Sequence, residues 1–416
     1  MRGAVVVVVI LAAVVVVAAL PPRNLTDPEV NPGCEECEEP WLVVTAGEGA
    51  NNTLHHLWGA KETLSFLVVA GTGGPNVSVD WDALRNGTNR SVTFQSQPSH
   101  VFGFVIPSLI LYNDPKDKGA FKDQNESLRV PVSDFTWSAE VLPRSPHQVA
   151  VKLQTTHFQD TPLPNKTRIL MQVSAYGEDG RSSVLPHLLY TPNSAQLDLI
   201  LDHFKLNLTE EANSWNKTRW GMDVVVFSSE HKAEEEDGDF GLKFHTQKSL
   251  DDEHTPGVFN LDQLTSAGAR AGDEAGGYLQ WRPVSYLTSD RDISEATIPN
   301  LNTSLPALVN LTEPLRKSLA YAVMGDNLTL SGAAVTSIIS FGQYKDGYYE
   351  AENYTTWTVA IGEGEPPKET FSTLVVVVIS LGVVLPGAMF LVGCMVLAVR
   401  RWRRHSSSDS ILITAE

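Results

Sequence analysis

The chain has 416 residues, 42% of them hydrophobic and 19% charged, which excludes a disordered or collagen-like polymer and is too long for one ordinary domain. A net charge of −18 excludes a nucleic-acid binder, which needs a basic surface, and three cysteines exclude a dense disulfide framework. Its cores must be built by burial alone.

In chain order, the first element is an apolar run over 4–20, drawn only from Ala, Val, Ile and Leu behind a single Arg2. It ends in small residues at Val17-Ala18-Ala19 and is stopped by Pro21-Pro22, the pattern of a cleaved signal peptide over 1–19. An uncleaved anchor is the alternative reading. Residues 20–372 then read as a lumenal region rich in strands and turns. Cys34-Glu-Glu-Cys37 has redox spacing, but it has no strand–helix context and no basic neighbour to acidify a thiol. In an oxidising lumen a local Cys34–Cys37 disulfide is the expectation. His55-His56 would bind a metal only with partners from elsewhere in the chain.

Period-two alternation marks strands at 149–155 and 196–202, and denser β-branched and aromatic runs mark strands at 221–227, 278–281 and 357–361. Gly, Pro and Asn clusters at 71–76 and 345–348 mark turns. The expected fold is mainly β: an antiparallel β-sandwich architecture, read as two packed units meeting near 190–220, plus one C-terminal transmembrane helix.

The acidic run 234–239 lacks the alternation of a calcium loop and reads as a solvated loop. Asp251-Asp252-Glu253-His254 is the most catalytic-looking cluster, although consecutive side chains diverge in direction and an acidic turn before Pro256 explains it as well. There is no HExxH, Walker loop, GxSxG elbow or Rossmann glycine pattern, so no catalytic residue, cofactor or metal is assigned.

A stalk at 362–368 leads to 374–399, twenty-six residues without a charge. At about 1.5 Å per residue this is about 39 Å of helix, enough for a hydrocarbon core of about 30 Å. Arg400, Arg401, Arg403 and Arg404 open a cytoplasmic tail over 400–416, which makes the chain a single-pass type I membrane protein. Within the span, Gly382, Pro386, Met389 and Gly393 share one helix face and are read as a packing surface for a neighbouring helix. In the tail, Asp409, Leu412 and Ile413 have the form of a dileucine-type sorting signal with imperfect spacing.

Sequons begin at Asn24, Asn51, Asn76, Asn86, Asn89, Asn125, Asn165, Asn207, Asn216, Asn302, Asn310, Asn327 and Asn353, thirteen of the twenty asparagines. Chance would give about three. All lie between the two apolar stretches, on the side the topology makes lumenal. Arg2 contributes +1 and the tail +2, so the part between carries −21.

Asn51-Asn-Thr-Leu-His-His-Leu-Trp58, Val77-Ser-Val-Asp-Trp81 and Ser133-Asp-Phe-Thr-Trp137 resemble the glycosylated lysosomal membrane protein family. The resemblance is closest in Ser249-Leu-Asp-Asp-Glu-His-Thr-Pro-Gly-Val-Phe-Asn-Leu-Asp-Gln-Leu264 and Gln280-Trp-Arg-Pro-Val-Ser-Tyr286. It implies a non-enzymatic accessory subunit of a lysosomal major-facilitator-type dipeptide transporter, which it stabilises and shields from lumenal proteolysis. Family members carry further lumenal cysteines and a tyrosine-based sorting signal; this chain has neither. The competing classes are a cell-surface adhesion or receptor ectodomain and a membrane-tethered hydrolase.

Overall fold

The computed structural model describes residues 20–121, 126–164, 166–229, 241–251, 257–271, 276–303, 312–330, 333–351, 354–369 and 373–409. Residues 19–368 form one compact unit, and the C-terminal segment from Glu369 belongs to another.

Two antiparallel sheets make the larger unit. The first has eleven strands, in the order Asn24–Leu25, Val43–Glu48, Thr53–Ala60, Leu64–Gly71, His100–Ile106, Thr218–Ser228, Ala333–Phe341 and Pro299–Thr303, with Glu29–Val30, Ser108–Asn113 and Ser127–Pro131 attached beside this path. The second has nine, in the order Phe135–Val141, Gln148–Phe158, Arg168–Tyr176, Ser194–Asp202, Tyr354–Glu363, Gly277–Trp281, Gly257–Ser266 and Leu242–Asp251, with Thr161–Pro162 beside Gln148–Phe158. All five strands expected from the sequence are present.

The sheets pack face to face over one core. Phe66 and Phe104 of the first sheet and Trp281 and Trp357 of the second meet there, with the Phe104 and Trp357 rings edge-on at 5.8 Å. Burying each such ring contributes about 1.5–3 kcal/mol. A second apolar layer covers the outer face of the first sheet. It is built from the hairpin Val77–Val79 and Val92–Phe94 and the short helices Trp81–Arg85, Glu313–Arg316 and Leu319–Met324. Strand Thr53–Ala60 is therefore buried along its whole length: Leu54, Trp58 and Ala60 face the inter-sheet core and Leu57 faces the outer layer. Alternation disappears where both faces are covered. It persists in Gln148–Phe158, where Val149, Val151 and Leu153 face the core while Lys152 and Gln154 are half-buried on the other side.

One expectation is corrected. The segment near 190–220 is not a seam between two units. It carries the chain from Ser194–Asp202 in the second sheet to Thr218–Ser228 in the first, and later strands return to both sheets. The two packed bodies are layers, assembled by long-range pairing rather than from consecutive halves of the chain.

The C-terminal helix runs Thr373–Asp409 and contains Pro386. Its stretch Leu385–Arg404 is long and apolar enough to cross a membrane. The helix continues through the four arginines, so the first part of the expected tail is helical.

Candidate functional site

Among the described residues of the β unit, three buried polar clusters have residue types that could carry chemistry. The densest centres on Arg219, fully buried on strand Thr218–Ser228. Its Nε donates to Asp114 Oδ2 at 2.8 Å, Nη2 to Asp117 Oδ1 at 2.6 Å, and Nη1 and Nη2 to the two Asp346 oxygens at 2.9 Å each. Tyr348 and Tyr349 hold their rings 4.5 and 4.8 Å from the guanidinium carbon. Burial pushes the Asp346 carboxyl up, but bonds from Arg219, Thr297 and the Gln343 N–H outweigh it and hold the group below the usual carboxylate value. Backbone must come close to build this cluster. Gly342 has φ +146° and a Cβ there would sit 2.4 Å from Arg219 Nη1, so only glycine fits. The arrangement ties the 114–119 and 342–349 loops to the first sheet, and the guanidinium and the Asp346 carboxylate at its centre are fully buried.

The second cluster joins the two sheets. His100 Nδ1 lies 2.8 and 2.7 Å from the Glu363 oxygens, and His100 Nε2 lies 3.0 Å from Ser228 Oγ. In outline this is the acid–imidazole–hydroxyl chain of a nucleophilic site. A nucleophile has to reach its substrate, however, and Ser228 is 0% exposed. Gly277 seals the place further: a Cβ on it would sit 2.1 Å from the Phe102 ring. The trio is a cross-link between the first-sheet strands of His100 and Ser228 and the central second-sheet strand Tyr354–Glu363.

The third is the His55–His56 pair. Consecutive strand residues point to opposite faces, so His55 faces the outer layer, 4.9 Å from the Phe94 ring, and His56 faces the inter-sheet core. His55 Nδ1 and both His56 nitrogens make no hydrogen bond among the described residues. Burial lowers the His55 pKa to about 4; for His56, burial and then the Arg23 and His55 charges lower it to about 3. Two imidazoles held apart in this way do not share a ligand.

The other expected sites separate as follows. Cys34 and Cys37 form a disulfide, and Arg85 Nη2 lies 3.4 Å from each sulfur. Residues 252–254 and the acidic run 234–239 lie outside the described residues, as do Leu412 and Ile413; Asp409 is the last residue of the C-terminal helix. Gly382, Pro386 and Gly393 lie on that helix, and a Cβ at either glycine would meet no atom within 4 Å. Among the sequons, Asn24, Asn51, Asn76, Asn86, Asn89, Asn207, Asn216 and Asn327 are all exposed. Asn302 lies on strand Pro299–Thr303, and Asn125, Asn165, Asn310 and Asn353 lie outside the described residues. Among the described residues no group of three His, Cys, Asp or Glu side chains is placed to hold a metal ion. Sequence reasoning did not find the Arg219 and His100 clusters, whose partners lie more than a hundred residues apart; the one local signal was Asp346 inside an expected turn.

A sequon-rich β sandwich ahead of one apolar helix defines a single-pass membrane protein with a large N-terminal ectodomain. A family profile described as "Glycosylated lysosomal membrane protein" matches residues 41–404. Similar proteins include glycosylated lysosomal membrane protein A of Xenopus laevis, 25% identical over 392 residues that cover 92% of this chain and 91% of the relative. The glycosylated lysosomal membrane protein of Danio rerio is 27% identical over 377 residues, covering 88% and 86%. That of Homo sapiens is 25% identical over 381 residues, covering 87% and 84%. The chain belongs to the glycosylated lysosomal membrane protein family, and its arrangement is that of a type I protein of the lysosomal membrane.

Proposed function

We propose that the chain is a non-enzymatic accessory subunit of a lysosomal major-facilitator-type transporter, stabilising that partner and shielding it from lumenal proteases. The observation that carries this reading is the distribution of sequons over the fold. Asn24 and Asn302 lie on the two end strands of the first sheet, Asn76, Asn86, Asn89 and Asn327 in the layer outside it, and Asn207 and Asn216 in the crossover between sheets. No strand of the second sheet contains a sequon asparagine. Asn165 and Asn353 fall in sequence between or beside second-sheet strands, so glycans attached in this pattern would crowd the first sheet and its outer layer more heavily and leave more of the second sheet for protein contact. Edge strands are also where sheets associate wrongly, and bulky groups on Asn24 and Asn302 would guard both edges.

The Arg219 and His100 clusters support the same reading from the other side, since both are taken up by internal cross-links, and the two imidazoles of the His55–His56 pair point to opposite faces. In the membrane, the Gly382, Pro386 and Gly393 face would allow a neighbouring helix to approach closely.

The test is crosslinking in lysosomal membranes under mild detergent, followed by identification of the partner and measurement of its half-life after this protein is depleted. A co-purifying polytopic transporter with a shortened half-life is the expected result; no such partner, or an unchanged half-life, would remove the reading. Sorting has a separate test. Replacing Leu412 and Ile413 by Ala should shift the protein toward the plasma membrane, and an unchanged lysosomal steady state would place the address elsewhere.

A further inference from the structure

Outside the first sheet, between the hairpin strand Val92–Phe94 and the helices Leu319–Met324 and Asn327–Leu330, lies a cavity of about 450 Å³. That is an ordinary size for a small-ligand pocket of about 300–1,000 Å³. Its floor is apolar, with Val92 and Met324 buried and Phe94 half-buried. Thr93 and Gln97 stand exposed at its rim. An apolar floor with an aromatic ring and a polar rim suits a sugar residue, which has one C–H face and a belt of hydroxyl and acetamide groups.

The exposed Asn327, which begins the sequon Asn327-Leu328-Thr329, is itself part of the cavity wall. A glycan on this asparagine starts inside the wall of the cavity, so its first sugars are held there at high effective concentration and lose no freedom to a bimolecular encounter.

We infer that this cavity seats the inner sugars of the glycan on Asn327, with the Phe94 ring as the stacking platform and Gln97 as a hydrogen-bonding partner. The inference rests on sequon occupancy, the same premise as the shielding reading, and adds that this glycan is part of the folded structure rather than a free surface chain. Phe94 packs on His55, so the docked sugars would also cover the side of the fold where an unpartnered imidazole lies nearest the surface.

The experiment uses the full chain, expressed in glycosylating cells and purified in detergent. Site-resolved glycopeptide mass spectrometry follows release by a peptide-N-glycosidase from the native and the denatured protein. The Asn327 glycan should be released from the native protein about tenfold more slowly than the one on Asn207, a protection of about 1.4 kcal/mol. After denaturation the two rates should converge. Phe94→Ser should speed native release at Asn327 and leave Asn207 unchanged. Thr329→Ala, which deletes only this sequon, should raise backbone hydrogen exchange across 92–94. Equal native release rates at the two sites would overturn the inference. So would an unmodified Asn327 beside modified neighbours, which would leave the shielding reading intact; an absence of glycans at all sequons would remove both.

Discussion

The Arg219 cluster and the His55–His56 pair lie in the same unit, and they treat buried ionisable groups in opposite ways. Around Arg219 every formal charge has a partner: one guanidinium faces three carboxylates, and Lys217 adds a second cation 3.3 Å from Asp117. The histidines are buried as neutral bases with nitrogens that find no partner. The difference teaches where this fold is sensitive to acid. Asp346, held below the usual carboxylate value, does not respond between pH 7 and 5, whereas a buried neutral base costs more as the pH falls below 6.5.

The largest expected effect comes from breaking the partnered site. Arg219→Met removes the cation and leaves Asp114, Asp117 and Asp346 facing one another, so the folded state should lose about 3–5 kcal/mol. Denaturant unfolding of the detergent-solubilised protein measures it. Asp346 is held below the usual carboxylate value, so its contribution is present above the unfolded value and is lost only when the pH falls through the folded one. In the native protein Asp346 stays ionised between pH 7 and 5, whereas without the cation the facing carboxylates take up a proton more readily, so the loss on substitution should be smaller at pH 5 than at pH 7. A loss below about 1 kcal/mol would mean that solvent reaches the cluster and screens it.

The second effect sharpens the other half of the comparison. The unfolded histidine titrates at 6.5, whereas His55 and His56 in the fold titrate at about 4 and about 3. The unfolded chain therefore binds more protons below pH 6.5, and stability that is complete above that value falls as the pH drops. At pH 5 each histidine should have cost about 2 kcal/mol relative to pH 7. His56→Leu should remove about half of that slope and stabilise the protein at pH 5 more than at pH 7, as read from thermal unfolding at the two values. An unchanged slope would show that His56 is hydrated in the native state. A protein of an acidic lumen thus carries a stability cost that the rest of its core offsets.

These two sites also show which parts of the fold were legible in the sequence. The runs 149–155 and 196–202 could be read because the second sheet keeps one less-covered face, so polar residues alternate with the core residues Val151 and Leu197. The run 221–227 could be read only from its β-branched density, since both faces of its strand are covered and Val225 and Val226 belong to different apolar layers. The pairing of strands was not legible. A change of sheet near 190–220 looks in sequence like a domain boundary, and only hydrogen bonding between strands far apart in sequence, such as Asp198 opposite Thr358, distinguishes the two. The histidine pair was visible as two letters, and strand geometry decided that they diverge. Nothing local distinguishes Arg219 from a surface arginine, because its partners arrive from residues 114, 117 and 346.

The smallest expected effect is that of a shape-conserving change at the site between these extremes. His100 and Glu363 are both nearly fully buried, and the imidazole bridges the carboxylate and Ser228 Oγ, so this histidine has the partners that His55 and His56 lack. Glu363→Gln keeps the shape and the carbonyl acceptor for His100 Nδ1 but replaces a charge-assisted bond by a neutral one. The net worth of the exchange is about 1 kcal/mol, well below the loss expected at Arg219, because no charge is stranded. Glu363→Ala opens the site as well as emptying it and should cost about 2–3 kcal/mol, since it leaves a buried nitrogen unsatisfied. The gap between the two substitutions measures how much of the link is geometry and how much is charge. Because Glu363 ends the second-sheet strand Tyr354–Glu363 and His100 begins a strand of the first, hydrogen exchange should show the loss at both strands together. Protection lost only around Glu363 would mean that the sheets are held by their apolar core alone and that the polar link merely fills its edge.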